Sequence, residues 1–136
     1  MEDKITSKTI NAIKDFIANT AFQSPYLEVC GFVGFNYNEQ KYVAQVEKNI
    51  ASDPKNFFSL SPVKYLNFKN ENQIIGIFHS HVVGDESPSE FDIKMSEAIC
   101  MPFITFSINS KKFSFYEPQN KEYDVNIVER FKNKLS

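Results

Sequence analysis

Tryptophan is absent from this sequence of 136 residues, and histidine and cysteine occur only twice each. Cys30 and Cys100 could pair with each other, but a cytoplasmic chain keeps its thiols reduced, so no disulfide is expected. No apolar run approaches the roughly 18 residues of a membrane span, which excludes a membrane protein of the helical kind. The start, Met1-Glu2-Asp3-Lys4, lacks the basic segment and apolar stretch of a signal peptide, so the expected compartment is the cytoplasm. Neither sign of charge dominates: the net charge is −2 and the lysines are spread along the chain, so a nucleic-acid partner is not expected. Internal repeats and low-complexity segments are also missing.

What is present is an ordinary globular composition, 42% hydrophobic and 24% charged, whose aromatics are fourteen Phe and six Tyr without a repeating aromatic-basic pattern. The length fits one domain over residues 1–136 with a single core. Ile10, Ile13, Phe16 and Ile17 at helical spacing predict a helix over 5–20, capped by Thr6 or Ser7 and ended by Ser24-Pro25. Leu27 to Phe35 reads as a strand, and Tyr42, Ala44 and Val46 alternate to complete a hairpin across the polar turn 36–40. A loop over 49–56 leads to a short helix from Ser61-Pro62 to about Asn70. A strand over 73–79 and a loop over 82–88 follow. Ser89 then caps a helix to about Cys100, with Ile93, Ala98, Ile99 and Cys100 facing the core. Strands over 103–108 and 113–116 and a helix over 124–135 complete the chain. The predicted class is α/β, a mixed, partly curled sheet flanked by helices.

The two histidines are two residues apart, in His79-Ser80-His81, a spacing that chance gives in about one such chain in seventy. The apolar residues 74–78 before them read as a buried strand, on which positions i and i+2 share a face. Two imidazoles side by side at a strand end begin a metal site. Asp92, in the first turn of the next helix, can return over that end as a third ligand. Three protein ligands with a fourth position open is the pattern of catalytic zinc. Such a metal lowers the pKa of bound water from 15.7 to about 7, about 12 kcal/mol in favour of hydroxide. A carboxylate must take the proton, and Glu28 is the candidate because it lies inside the apolar run 26–32, where an unpartnered charge is costly. Ser89 is placed to donate to the oxyanion formed during attack.

Glu28, His79-Ser80-His81, seven residues and then Ser89-Glu90-Phe91-Asp92 resemble the signature of the JAMM (MPN+) metallopeptidases. The run Glu28-Val29-Cys30-Gly31-Phe32-Val33 looks like the Glu-x-Cys-Gly strand of prokaryotic members. A narrower resemblance covers residues 25–117. There Asn49 to Pro54 and Phe57 to Pro62 are similar to the N-terminal domain of tail-assembly peptidases of lambda-like phages. The resemblance implies an MPN-like fold with cytidine-deaminase-like layering, and one catalytic zinc on His79, His81 and Asp92. It also implies Glu28 as general base, Ser89 as oxyanion donor, and hydrolysis of peptide or isopeptide bonds by metal-activated water. The partner it implies is a peptide or protein substrate, such as a phage tail protein or a ubiquitin-like tail, with the oligomeric state open. Val82 stands where members often carry proline, and the long insertions of the deubiquitinases are missing.

Blander readings stand beside these. Asp92 suits a helix N-terminus by its charge alone, Ser89 by its hydroxyl, and Glu28 could pair with a lysine at a strand edge. Cys30, if it shares a regular strand with Glu28, could supply a thiolate that closes the site and leaves a non-catalytic scaffold with a structural metal. Otherwise it is a small buried hydrophobe.

Overall fold

A computed structural model describes residues 3–135. Its elements run β1 (Lys4–Ser7), α1 (Ile10–Phe22), β2 (Cys30–Asn36), β3 (Lys41–Glu47), α2 (Pro62–Glu71), β4 (Gln73–His81), α3 (Glu90–Ile99), β5 (Phe103–Ser107), β6 (Phe113–Tyr116) and α4 (Val125–Asn133). The strands form one open mixed sheet in the order β1-β3-β2-β4-β5-β6, antiparallel throughout except for the β4–β5 pair. The α/β class is as expected from the sequence.

Alternation along the strands divides the core between two faces. One face carries Val33, Tyr42, Ala44, Ile75, Phe78 and Ile104 and is covered by α1 and α4 through Ile13, Ile17, Ile127 and Phe131. The other carries Cys30, Phe32, Val43, Ile74, Ile77 and Phe103 and is covered by Phe68 of α2 and by Phe58. Strict alternation would put Ile74 and Ile77 on opposite faces. They share one because the β2–β4 register shifts beside Gly76: Val33 pairs with Gly76 but Gly34 pairs with Ile74, leaving Ile75 as an extra residue. After the bulge, Ile77, His79 and His81 fall on the same face, and the strand delivers its histidines to the sheet's C-terminal end beside β5.

Several boundaries differ from the sequence reading. Residues 4–7 form an edge strand on β3, so Thr6 and Ser7 are not helix caps. Thr9 caps α1, its hydroxyl oxygen accepting the amide of Ala12. Ile5 and Thr6 suit a strand, and pairing with β3 supplies hydrogen bonds that a first helical turn would not. The second strand begins at Cys30 rather than Leu27, because Tyr26 and Leu27 are exposed and the Glu28 amide donates to the carbonyl of Pro54. Gly31 is required there: a Cβ would strike the Gln45 carbonyl and come within 2.5 Å of the Phe78 ring.

Candidate metal centre

At the end of β4, three donor atoms converge. His79 Nε2 lies 3.3 Å from His81 Nε2, and Asp92 Oδ2 lies 3.2 Å from the first and 3.1 Å from the second. All three residues are buried. Tetrahedral coordination with bonds of 2.0–2.1 Å requires donors about 3.3–3.4 Å apart, so this triangle has the size of three corners of a zinc site. The Asp85 carbonyl can only accept, so at 2.8 Å it fixes the hydrogen of His81 on Nδ1. The Nε2 lone pair of His81 then faces a carboxylate oxygen, an arrangement that repels unless a proton or a cation lies between. The donor set of two imidazoles and one carboxylate fits a divalent metal.

Local structure explains how the three arrive. Gly84, at φ +85°, turns the chain after His81, and its carbonyl accepts from Ser107 Oγ at 2.8 Å and Asn109 Nδ2 at 3.2 Å. That loop presents the Asp85 carbonyl to His81 and returns the chain to α3. Ser89 and Asp92 form a capping box: the Asp92 amide donates to Ser89 Oγ at 3.0 Å, and the Ser89 amide donates to Asp92 Oδ2 at 2.9 Å. The box holds the Asp92 carboxylate in one rotamer. Accordingly α3 turns a polar face inward. Asp92 and Ser96 are buried one turn apart, with Ser96 Oγ donating to Met101 O at 2.6 Å. Ile93 and Ile99, expected in the core, are half-buried, and Ala98 is exposed. Cys100, also expected in the core, is a half-buried left-handed C-cap.

His79 is sealed on its other side. The Phe58 ring stacks on its imidazole at 4.4 Å between centroids, and Thr105 Oγ1 lies 3.5 Å from its Nε2. Among the described residues His79 Nδ1 is buried with no hydrogen-bond partner. Burial pulls the His79 pKa down, against the hydrogen bond and charge of Asp92. Burial acts the same way on His81, but hydrogen bonds to Asp92 and to the Asp85 carbonyl outweigh it and raise its pKa. Burial would raise Asp92, yet the hydrogen bonds of both histidines hold it well below the ordinary carboxylate range. An ionised Asp92 and a neutral His79 are the states a metal requires.

Glu28 is buried and within electrostatic reach of His81, Asp92 and Asp53; burial above all pushes its pKa up to about 8. No ion pair to Glu28 occurs among the described residues, so the lysine pairing is not observed. The backbone of Glu28 and Val29 is held from two sides. Ser80, between the histidines, accepts the Val29 amide on its hydroxyl at 2.9 Å and donates its own amide to Val29 O at 3.0 Å. Asn49 Nδ2 donates to Glu28 O at 2.9 Å and Phe57 O at 3.0 Å, while its Oδ1 accepts from Ala51 and Ser59. One amide side chain thus ties Glu28 to the loop that places Phe58. Replacing Asn49 with Ala should cost about 2 kcal/mol by leaving several backbone groups unpaired, measured as a lower urea midpoint at unchanged slope.

Cys30 stands opposite His79 in the β2–β4 register and so faces the same side. Its Sγ–H points to the Glu47 carbonyl at 3.8 Å, and burial with Glu28 and Glu47 nearby raises its pKa to about 12. The donor cluster is His79, His81 and Asp92 without it. Cys30 therefore behaves as a buried hydrophobe, and the shared strand with Glu28 is not formed. The roles of Ser80, Phe58, Asn49 and the Asp85 carbonyl were not apparent from the sequence, although the first three fall within the motifs that carry the resemblance. Glu86, in the loop after the histidines, is half-buried and accepts from Ser110 Oγ at 2.7 Å.

Residues 11–123 match the family described as prokaryotic homologs of the JAB domain. The chain belongs to that family. This JAB-domain protein is similar to "Tail tip assembly protein K" of Escherichia phage N15, with 31% identity over 96 residues. The match covers 71% of this chain but only 37% of that protein. The fold is also that of protein DSY2949 from Desulfitobacterium hafniense, known from a solution structure, at a TM-score of 0.55 and 21% identity over 77% of each chain. As in the sequence reading, the JAMM-like resemblance and its phage-tail relatives agree with these matches. Among the described residues no helix is long and apolar enough to cross a membrane.

Proposed function

We propose that the centre binds one zinc ion and hydrolyses peptide or isopeptide bonds. The observation that carries this reading is the convergence of three buried donors in a tetrahedron-sized triangle, with a buried, high-pKa carboxylate beside it. His79, His81 and Asp92 would hold the zinc, which supplies Lewis acidity toward a carbonyl and acidifies water. Glu28 is the proton carrier: its carboxylate takes a proton from the attacking water and returns it to the leaving amine. A carboxylate raised toward neutrality by burial suits both transfers. Ser89 Oγ accepts the Asp92 amide, and this leaves its hydroxyl hydrogen free to donate to the developing oxyanion. Phe58 keeps water from the far side of His79. The Asp85 carbonyl holds His81 in the tautomer that ligates.

The name of the phage N15 relative supports a substrate in tail assembly. A cytoplasmic setting, which would keep Cys30 and Cys100 reduced, belongs to the same reading. Because this chain spans little more than a third of that relative, the activity of the whole relative is not carried over. The test is zinc reconstitution followed by incubation with a peptide library and with tail proteins, reading new N-termini. Zinc-dependent cleavage supports the hydrolase. Stoichiometric zinc with no cleavage of any substrate favours a binding scaffold with a structural metal.

A further inference from the structure

The segments that carry Phe58 and Asp92 present an apolar surface that the core does not require. Phe57 and Phe91 pack edge to face, with ring centroids 5.3 Å apart and planes at 72°. They remain 45% and 38% exposed. The pair joins two different elements, the loop before α2 and the first turn of α3. Each ring is adjacent in sequence to a residue of the centre: Phe57 precedes Phe58, which stacks on His79, and Phe91 precedes the ligand Asp92. One turn further along α3, Met95 stands four residues beyond Phe91 and is 39% exposed. Single exposed hydrophobic side chains are ordinary, but an exposed aromatic pair whose chain neighbours both belong to the centre marks a surface that something covers.

The charges nearby narrow what that is. Asp53 and Asp85 are exposed carboxylates in electrostatic contact with Glu28 and His81 respectively. An acidic side chain entering here would be repelled. An apolar one would gain contact with two aromatic faces and a thioether.

We propose that Phe57, Phe91 and Met95 select the substrate, receiving a large apolar side chain at a position flanking the scissile bond. The inference rests on the hydrolytic reading and adds a substrate class to it: unstructured protein segments with Leu, Ile, Met or Phe next to the cut, and not acidic ones. One large apolar contact discriminates by about 10–200-fold, which is the size of effect to look for.

The experiment uses zinc-loaded protein and paired peptides that differ only at the flanking position, Leu against Ala and Leu against Asp. The wild type should cleave the Leu peptide at least about tenfold more efficiently than the Ala peptide, and Asp least. Phe91→Ser and Phe57→Ser should lower the Leu-to-Ala ratio of kcat/KM toward one while zinc content stays at one per chain. Leu66→Ser, on an exposed position of α2, should leave the ratio unchanged. Equal cleavage of all peptides, or a ratio unmoved by both Phe substitutions, would overturn the proposal. If nothing is cleaved, binding of a fluorescent Leu peptide decides. Binding weakened by Phe91→Ser keeps the docking surface and removes the hydrolase, whereas no binding removes both.

Discussion

Glu28→Gln is expected to lower turnover by roughly 10²- to 10⁴-fold, the usual worth of a positioned general base, while one zinc per chain remains bound. The amide keeps the shape of the side chain and cannot take a proton. Because Glu28 is outside the donor triangle, metal content should not follow activity. The same variant should also change stability with pH. The Glu28 pKa is raised from an ordinary 4.5 to about 8. The folded chain therefore holds an extra proton between those values, and ionising it there costs stability. The cost is absent below about pH 4.5, grows as pH rises, and is complete above about pH 8. In chelator, the wild type should lose stability relative to Glu28→Gln across that window, read from paired thermal melts. Zinc should shrink the difference, since a nearby cation favours the ionised carboxylate. A variant that still turns over at the wild-type rate would remove Glu28 from the chemistry.

Asp92→Ala should be the most damaging of the ligand substitutions, because this carboxylate serves two purposes. It supplies one corner of the donor triangle, and it accepts the Ser89 amide that starts α3. Zinc affinity should fall by more than about 100-fold, beyond the loss from removing an outer-shell partner. Loss of the reciprocal cap should cost a further ~1 kcal/mol in the metal-free chain. Asp92→Asn separates the two effects: its amide oxygen can still accept from Ser89, so the cap recovers while zinc binding does not. Elemental analysis alongside thermal melts without metal reads both. An Asp92→Ala protein that purifies with equimolar zinc would contradict the ligand assignment.

These residues were legible because the local periods involved are short. His79 and His81 share a face by strand alternation, and Ser89 and Asp92 meet across one helical turn; neither relation needs knowledge of distant chain. Phase along β4 was a matter of tertiary pairing, since the extra Ile75 exists only relative to Gly34 on the neighbouring strand. Residues 4–7 are a strand for the same reason: their partners lie 35 to 41 residues away. The apolar pattern around Glu28 suggested a strand interior, but the chain there is drawn aside by the Asn49 loop, leaving Leu27 exposed. On α3, hydrophobic residues were expected inward, yet the centre claims that face for Asp92. Ser80 and Asn49 gave little signal because their work is backbone hydrogen bonding, which composition does not reveal.

A three-ligand centre with a position left open has its own signature in the zinc K-edge absorption fine structure of the reconstituted protein. Two imidazoles and two oxygen or nitrogen scatterers near about 2.0 Å, with no sulfur shell, are expected. A zinc–sulfur shell at about 2.3 Å would bring Cys30 into the coordination sphere, close the site and contradict the three-ligand centre.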